Sequence, residues 1–265
     1  MNQAMNFDRP PAFGGVPDLS IVIPARNEAE NIGKLIDEIA ALEGLGRFEI
    51  IVVDDGATDG TGRIVRDRMA VVPRLRLLTH DSGAGQSAAI HTGVEASRAQ
   101  IVATLDGDGQ NPPSDLVRIV RPLAEGGTGL VAGQRVDRQD TRSRKLASLF
   151  ANRVRSALLG DRTRDTGCGL KAFRREDYLS LPYFDHMHRF LPALFAREGL
   201  PVRHVGVGHR PRGGGRSHYS NLGRAMVGIV DLLGVMWLIR RGRGRRRKVQ
   251  SVEADGLHQP AELVQ

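Results

Sequence analysis

Short apolar runs that alternate with stretches of helical spacing limit the folds open to this chain more than any other feature of its sequence. Strands are predicted at residues 19–23, 48–53, 75–78 and 101–105. Helices are predicted at 28–42, from a cap at 58–61 to residue 69, and at 84–96. A helical crossover thus follows each of the first three strands. Strands joined in this way form a mostly parallel central sheet with helices on both faces, so the sequence predicts a Rossmann-like α/β fold.

The length and composition fit one domain of this class. At 265 residues the chain can bury a substantial core, and we predict a single domain at 19–224 after a flexible lead at 1–18. That lead lacks the continuous apolar run of a signal peptide or a membrane anchor. Cys168 is the single cysteine, which excludes an internal disulfide and a cysteine metal cluster. Dinucleotide-binding and P-loop glycine motifs are absent, which disfavours both of those classes.

Acidic residues and glycines end the fourth predicted strand abruptly. The run ATLDGDGQ places Asp106 and Asp108 one residue apart, followed by Gln110, before two prolines restart the chain as a helix. Carboxylates at this spacing on an extended segment point the same way and can share a hard cation such as Mg²⁺ or Mn²⁺. The alternative is an ordinary acidic turn, because aspartate and glycine are common turn residues.

The first two strands also end in polar runs, PARNE at 24–28 and DDGATDG at 54–60. The carboxyl ends of parallel strands meet at one sheet edge, and ligands of open α/β sheets bind there. A carboxylate after the second strand can accept a hydrogen bond from a ribose hydroxyl or a base N–H, while the Asp106 loop holds metal and diphosphate. Three converging strand ends favour a ligand site over an isolated turn.

Three of these runs, SIVIPARNE, IIVVDDGATDGT and ATLDGDGQ, resemble the nucleotide-sugar-binding half of family-two glycosyltransferases with the GT-A fold. They are similar in particular to dolichol-phosphate mannosyltransferases and bacterial polyprenyl-phosphate glycosyltransferases. In SGAGQSAAIHTGV, Gly85 and Gln86 replace the Gly-Lys-Gly of many relatives, a form similar to that of undecaprenyl-phosphate members. The resemblance implies a metal site of Asp106, Asp108 and Gln110, and a nucleotide pocket lined by Pro24, Ala25, Asn27, Glu28 and Asp55, with Asp55 at the base or ribose.

Basic residues downstream can hold a phosphate acceptor. Arg135 ends a predicted strand at 129–135, and a predicted helix at 143–158 presents Arg144, Ser148 and Asn152 on one face. Arg135, Arg144 and Ser148 can bind a phosphate monoester through charge-assisted hydrogen bonds. The matching positions in the resembled family grip the lipid phosphate. The alternative is a solvated basic helix.

Two further stretches resemble segments of the same family. RDTGCGLKAFRR places Asp165 where many family-two enzymes have an acid that deprotonates a hydroxyl acceptor. A phosphate acceptor is already ionised, so we assign Asp165, within the catalytic set, to positioning. HRPRGGGRSHYS resembles the flexible basic loop that closes over the donor diphosphate, although such a run can also be a plain surface loop. Its candidate residues are Arg210, Arg212, Arg216 and Ser217.

The net charge of +8 belongs to the C-terminal part of the chain. Seven basic residues lie within RRGRGRRRK at 240–248, and without them the net charge is +1. The preceding apolar segment at 225–239 is shorter than the roughly 20 residues of a bilayer crossing and carries Asp231. We predict that 225–248 forms an apolar helix and a polybasic segment on an anionic membrane surface, before a disordered tail at 249–265. The alternative is a core helix with a solvated or nucleic-acid-binding tail.

These parts together predict a metal-dependent, inverting glycosyltransferase bound peripherally at the cytoplasmic face of the membrane. It would move a sugar from a nucleotide-diphosphate sugar to a polyprenyl (dolichyl or undecaprenyl) phosphate, with no nucleic-acid partner. One alternative is a family-two transferase acting on a sugar or protein hydroxyl, for which Asp165 would be an indispensable base. A second is a non-catalytic membrane or nucleic-acid adaptor, which the intact Asp106, Asp108 and Gln110 disfavour. A sugar-nucleotide pyrophosphorylase shares the sheet type, but its glycine-rich loop does not follow the first strand.

Overall fold

A central sheet organises the part of the chain that the structure describes. The structure, a computed structural model, describes residues 16–136, 155–161, 163–211 and 221–241, with side chains from residue 228 onward in the last of these segments. The strands of this part are β1 (Leu19–Ala25), β2 (Phe48–Asp55), β3 (Leu75–His80), β4 (Ile101–Thr104), β5 (Leu130–Arg135), β6 (Lys171–Arg174) and β7 (Val202–Val207).

These strands form one sheet in the order β3-β2-β1-β4-β6-β5-β7. β1 pairs in parallel with β2 and with β4, β2 pairs in parallel with β3, and β5 pairs in parallel with β7. β6 is antiparallel to both of its neighbours, β4 and β5, so β4 and β5 point the same way. The predicted mostly parallel sheet is therefore confirmed. β1, β2, β4 and β5 all end at one edge, where chain order reverses around β1.

Helices cover both faces of this sheet, as predicted. They are α1 (Ile32–Ala40), α2 (Thr61–Met69), α3 (Gln86–Ala96), α4 (Asp115–Ala124), α5 (Arg175–Leu179), a 3₁₀ turn (Met187–Arg189), α6 (Leu191–Arg197) and α7 (Asn221–Arg241). Residues 155–159 are also helical. The core on one face combines the sheet with α1, α2 and α4, and the core on the other combines it with α3, α5, α6 and α7.

The central strands are buried on both faces, which explains their nearly continuous apolar sequence. In β1, Ile21 and Ile23 belong to the core under α1, whereas Val22 belongs to the core under α3. α3 lies very close to this strand, because a Cβ at Gly93 would be 2.3 Å from Val22 Cγ1. The absence of a side chain at Gly93 thus sets how near α3 lies to the sheet.

Some boundaries differ from the predicted ones for local reasons. α1 begins at Ile32 rather than at 28, because Asn27 adopts a left-handed φ of +56° and the chain turns before the helix starts. β2 continues through Asp54 and Asp55, which are buried inside the sheet edge rather than in a loop. β6 and β7 are not among the predicted strands, since both are short and depend on pairing with distant parts of the chain.

α7 contains the predicted apolar segment and has two different apolar sides. Val235 is 2% exposed, and Leu232 and Met236 pack against the core beneath the helix. The outer side carries four exposed residues, which we name the apolar face of α7: Ile229, Val230, Leu233 and Trp237, which are 52% to 66% exposed. Among the described residues, no helix is both long enough and apolar enough to cross a membrane.

Candidate active site

Asp55, the last residue of β2, is the predicted base or ribose contact. It is 3% exposed, and its carboxylate accepts the N–H of Ala84 at Oδ1 (2.8 Å) and the N–H of Gly85 at Oδ2 (2.9 Å). His80 Nδ1 lies 2.8 Å from Oδ1, and because an ionised carboxylate only accepts, this nitrogen carries the hydrogen. Burial opposes ionisation, but these bonds outweigh it and hold the pKa of Asp55 below its usual range.

The predicted pocket residues after β1 are tied to the loop after β2. Pro24 and Ala25 end β1 at the same edge as Asp55. Asn27, with its left-handed backbone, turns its side chain so that Oδ1 accepts the Thr58 N–H (2.9 Å). The next residue, Glu28, donates its N–H to Oγ1 of Thr61 (2.9 Å), the first residue of α2 after that loop. The two strand ends therefore form one connected polar rim.

The loop after β4 brings the two predicted metal carboxylates into electrostatic contact. Asp106 is partly buried, and its Oδ1 accepts a hydrogen bond from Gln86 Nε2 (2.8 Å). Burial and then the negative charge of Asp108 raise the pKa of Asp106 to about 6. Asp108 Oδ1 in turn accepts the Gln110 N–H (3.1 Å), which fixes the turn of the loop.

The donor set of this loop fits a hard divalent cation. Two carboxylates of like charge, one of them desolvated, are stabilised when a cation binds them together. Mg²⁺ commonly uses one or two carboxylates and keeps its other positions for water and phosphate. Within the described ranges no three His, Cys, Asp or Glu side chains form a group that could hold a metal, so the site would rest on Asp106 and Asp108. The role of Gln110 as a further ligand stays a prediction.

The loop after β4, residues 105–110, is named the metal loop here for its predicted role. The segment at 165–171 packs between this loop and the end of β5. Thr104 Oγ1 donates to Gly169 O (2.6 Å), and a Cβ at Gly169 would lie 2.2 Å from the carboxyl group of Asp106. Lys171, which is 3% exposed, donates from Nζ to Cys168 O. Burial lowers the pKa of Lys171, and the negative charge of Asp106 acts in the opposite direction. A buried lysine thus lies behind the metal loop.

Arg135 and Asp165 form a bidentate ion pair at the end of β5. Arg135 Nε donates to Asp165 Oδ2 (2.6 Å), and Nη2 donates to Oδ1 (2.7 Å). The two side chains are 15% and 10% exposed, and the hydrogen bonds that Arg135 donates to Asp165 raise the pKa of Arg135. Both oxygens of Asp165 are therefore engaged with a guanidinium that does not release its proton. This geometry favours positioning over general-base catalysis for Asp165.

Several predicted site residues lie outside the described residues. They are Arg144 and Ser148, predicted to bind the acceptor phosphate, and Arg212, Arg216 and Ser217, predicted to bind the sugar-nucleotide donor. The structure does describe the residues just before Arg212. Gly208 N–H donates to Asp115 Oδ2 (2.7 Å), and Arg210 N–H donates to Gln110 O (2.8 Å). Arg210 therefore lies next to the metal loop.

Sequence reasoning missed three contacts at this sheet edge. The rule that strand ends carry ligand groups also applies to His80, the last residue of β3, and it would have placed His80 beside Asp55. A polar residue in a short apolar run was the available signal for Lys171. The bond from Gln86 to Asp106 joins side chains 20 residues apart and has no local signal.

The fold and the site together define a class of protein. A sheet with this strand order, a buried carboxylate at the end of β2 and a two-carboxylate loop after β4 belong to a glycosyltransferase of the GT-A fold. Residues 20–181 match the family described as Glycosyl transferase family 2, and the chain belongs to that family. The predicted family is thereby confirmed.

Two relatives come from bacteria, and both are named for polyprenyl-phosphate sugar transfer. Dodecaprenyl-phosphate galacturonate synthase of Rhizobium johnstonii is 35% identical over 232 residues, which cover 84% of this chain and 68% of the relative. Undecaprenyl-phosphate 4-deoxy-4-formamido-L-arabinose transferase of Pseudomonas aeruginosa is 37% identical over 229 residues, which cover 82% and 65%. The chain thus spans about two thirds of the length of these relatives. They confirm the predicted resemblance to the polyprenyl-phosphate branch.

Solved structures agree on the fold. The crystal structure of glucosyl-3-phosphoglycerate synthase from Mycobacterium tuberculosis, in complex with Mn²⁺, UDP and glucosyl-3-phosphoglycerate, is similar with a TM-score of 0.64 and 26% identity. The match covers 84% of this chain and 80% of that one. Mannosyl-3-phosphoglycerate synthase from Rubrobacter xylanophilus has a TM-score of 0.67 over 89% of this chain and 79% of its own. At 20% identity it supports the fold alone.

Proposed function

We propose that this chain transfers a sugar from a nucleotide-diphosphate sugar to a polyprenyl phosphate, with inversion at the anomeric carbon. The observation that carries the proposal is the meeting of Asp55, Asp106 and Arg135 at one edge of the sheet. Their meeting around the point where β1 separates β2 from β4 supports the roles of nucleotide contact for Asp55, metal ligand for Asp106 and phosphate contact for Arg135. The names of the two bacterial relatives supply the class of acceptor.

The donor would lie along the ends of β1, β2 and β4. Its nucleoside would contact Asp55 and the rim formed by Pro24, Ala25, Asn27 and Glu28, since these residues surround one pocket edge. Its diphosphate would lie at the Asp106 loop. Arg210 lies beside that loop and precedes Arg212 by two residues in the sequence, which supports the assignment of Arg212, Arg216 and Ser217 to the diphosphate.

The hydrogen-bond inventory of Asp55 favours a uracil base. Each carboxylate oxygen has two acceptor positions. His80 and Ala84 use both positions on Oδ1, and Gly85 uses one on Oδ2, so one position on Oδ2 remains. Uracil presents a single imide N–H, whereas guanine presents two adjacent donors that need both oxygens of one carboxylate. The Mn²⁺ and UDP complex of the mycobacterial neighbour agrees with a uridine nucleotide.

Asp106 and Asp108 would hold Mg²⁺ or Mn²⁺, with Gln110 as the third predicted ligand. When bound, the cation supplies neutralisation of the charge that develops on the departing diphosphate. Lys171 lies behind the same loop, and its charge opposes the rise in the pKa of Asp106 that burial and Asp108 cause. The chain therefore directs its fixed charges at the leaving group.

The acceptor phosphate would be held by Arg135, Arg144 and Ser148. Asp165 fixes the guanidinium of Arg135 by two hydrogen bonds and leaves its remaining N–H groups for the phosphate. A phosphate oxygen forms the new bond to the anomeric carbon as the bond from that carbon to the diphosphate breaks, and the nucleoside diphosphate leaves. The nucleophile is already ionised, so alignment provides most of the catalysis.

The transfer reaction is tested with a panel of radiolabelled sugar nucleotides. The full chain is incubated with undecaprenyl phosphate and Mn²⁺, and the organic phase is scored for labelled lipid. We expect label in the lipid from at least one UDP-sugar and at least tenfold less label from GDP-sugars, because guanine would not match the remaining acceptor position of Asp55. A tenfold lower rate corresponds to about 1.4 kcal/mol of lost base recognition. Label in a sugar or protein acceptor without labelled lipid would instead establish the hydroxyl-acceptor alternative.

We further propose that α7 and the basic run after it bind the chain peripherally to an anionic membrane surface, at the cytoplasmic face. The apolar face of α7 is exposed, and Trp237 lies one turn before Arg240 and Arg241, which are exposed as well. The sequence continues with five further basic residues at 243–248. Apolar side chains beside arginines are the composition of helices that lie in the headgroup region. This position would keep the active site near its lipid acceptor.

Membrane binding is expected to fall about tenfold when Leu233 is replaced by aspartate, because one buried leucine side chain contributes roughly 1.5–3 kcal/mol. The measurement is co-sedimentation with vesicles of phosphatidylglycerol and phosphatidylcholine. Val71→Asp is the matched control, since Val71 is 72% exposed and lies outside α7. Deletion of 242–248 is expected to remove the salt-sensitive part of the binding. Equal sedimentation of all four proteins would contradict the assignment.

A further inference from the structure

Residues 84–86 connect the two ends of the donor site. The N–H groups of Ala84 and Gly85 bond to the carboxylate of Asp55 at 2.8 Å and 2.9 Å. The next residue, Gln86, donates from Nε2 to Asp106 Oδ1 at 2.8 Å. Three consecutive residues thus contact both the carboxylate assigned to the nucleoside and a carboxylate assigned to the cation.

The helix behind these residues is fixed on its other sides. Ser87 Oγ lies 2.7 Å from His188 Nδ1, and the two residues are 3% and 9% exposed. Gly93 brings α3 into close contact with Val22 of β1. At the other end of the helix, Arg175 Nε donates to a carbonyl of the last turn (3.0 Å). Because the rest of α3 is held in this way, a shift of residues 84 and 85 would be taken up at Gln86, the first residue of the helix, whose side chain is exposed.

We propose that Gln86 is a positioning residue that orients the Asp106 carboxylate for the cation and couples this orientation to occupancy of the Asp55 pocket. The inference rests on the proposed function, since it requires a nucleoside at Asp55 and a cation at Asp106. A nucleoside that donates to the remaining position of Asp55 would hold this carboxylate, and with it the turn at Ala84 and Gly85, in the arrangement that the structure shows. The ordered turn then holds the Gln86 amide against Asp106.

An uncharged amide suits this task better than a charged group. The Gln86 amide fixes one oxygen of Asp106 and leaves the other oxygen for the cation, while the carboxylate keeps its negative charge. A glutamate at this position would repel the Asp106 carboxylate. The amide therefore orients the ligand without competing with the metal.

The first measurement is the affinity for Mn²⁺ alone, read from the electron paramagnetic resonance of the free ion. Loss of a hydrogen bond that orients a metal ligand typically weakens metal binding 10- to 100-fold, so we expect about tenfold weaker binding in Gln86→Ala. Gln100→Ala is the matched control, because Gln100 is exposed and precedes β4 at the opposite end from Asp106. We expect Gln100→Ala to bind Mn²⁺ as the wild-type chain does.

The second measurement is the same titration with saturating uridine, a probe that has no phosphate and makes no contact with the cation. Energetic coupling between two sites typically changes affinity at least fivefold, so we expect uridine to tighten Mn²⁺ binding about fivefold in the wild-type chain. Uridine should leave Mn²⁺ binding unchanged in Gln86→Ala. Gln86→Glu should lose the same coupling, because it keeps the length of the side chain and removes the donor.

The outcomes separate this inference from the proposed function. If wild-type and Gln86→Ala bind Mn²⁺ with the same affinity and show the same uridine effect, Gln86 has no positioning role, although the transfer reaction can still be measured. If the wild-type chain binds neither Mn²⁺ nor uridine, the proposed donor site fails and the inference fails with it. Weaker Mn²⁺ binding together with lost coupling, at an unchanged melting temperature, supports the inference.

Discussion

Replacing Asp108 with asparagine is expected to lower kcat/KM for sugar transfer by about 10³-fold, which corresponds to ~4 kcal/mol of transition-state stabilisation. The substitution removes one of the two negative charges of the metal loop. Asparagine still offers an oxygen to the Gln110 N–H, so the turn of the loop is kept. The cation would then rest mainly on Asp106, and the charge on the departing diphosphate would lose its neutralising partner.

The fold is expected to tolerate this change. Asp108 is only partly buried, and its charge is one of the causes that raise the pKa of Asp106. Removing it relieves repulsion between like charges, so the melting temperature should change by less than about 2 °C. Asp67→Asn is the control, because it removes the same charge from an exposed position on α2. Near-normal turnover and unchanged Mn²⁺ affinity in Asp108→Asn would eliminate the two-carboxylate metal site.

The polar strand ends were predictable because their signals are local. The apolar runs of β1, β2 and β4 lead into the polar runs PARNE at 24–28, DDGATDG at 54–60 and DGDGQ at 106–110, and the carboxyl ends of parallel strands meet at a common edge. Periodicity and turn chemistry were therefore enough to place Asp55 and Asp106 on the same side of the sheet. The family resemblance then assigned roles that periodicity cannot supply.

The side-chain partners at the same edge could not be predicted from the sequence, because they join residues that are far apart along the chain. Arg135 was predicted to bind phosphate and Asp165 to position reactants, but their direct bidentate pair spans 30 residues and depends on β6 lying between β4 and β5. β6 has only four residues, a length at which pairing with neighbours outweighs intrinsic preference. The structure therefore changes the account of Arg135 from a free cation to one held by Asp165.

That pair gives the second large expected effect. Asp165→Asn should lower kcat/KM for the polyprenyl phosphate by about 30-fold, because it loosens a guanidinium whose charge-assisted bonds contribute roughly 2 kcal/mol. Arg135→Lys should cause a similar loss, since an ammonium cannot contact the carboxylate and the phosphate in the same plane. The variant that carries both substitutions should lose no more kcat/KM than the more affected single variant, because either change alone already disrupts the pairing of Arg135 with Asp165.

A buried pair of the same kind provides the control for stability. Arg155 and Asp161 also form a bidentate pair, at 3.1 Å and 2.6 Å, with side chains 11% and 3% exposed. Asp161→Asn and Asp165→Asn should both destabilise the fold, by up to about 3 kcal/mol. Only Asp165→Asn should raise KM for the acceptor, if its role is to position Arg135.

The pH dependence of kcat distinguishes positioning from general-base catalysis. A base at Asp165 would contribute about 10²- to 10⁴-fold, and its loss would remove the ionisation that limits kcat at low pH. A positioning carboxylate leaves that limb of the profile in place, because the phosphate oxygen attacks in its ionised form whether or not Asp165 is present. Additive losses in the double variant, together with a flattened acidic limb in Asp165→Asn, would therefore assign Asp165 as the base and point to a hydroxyl acceptor.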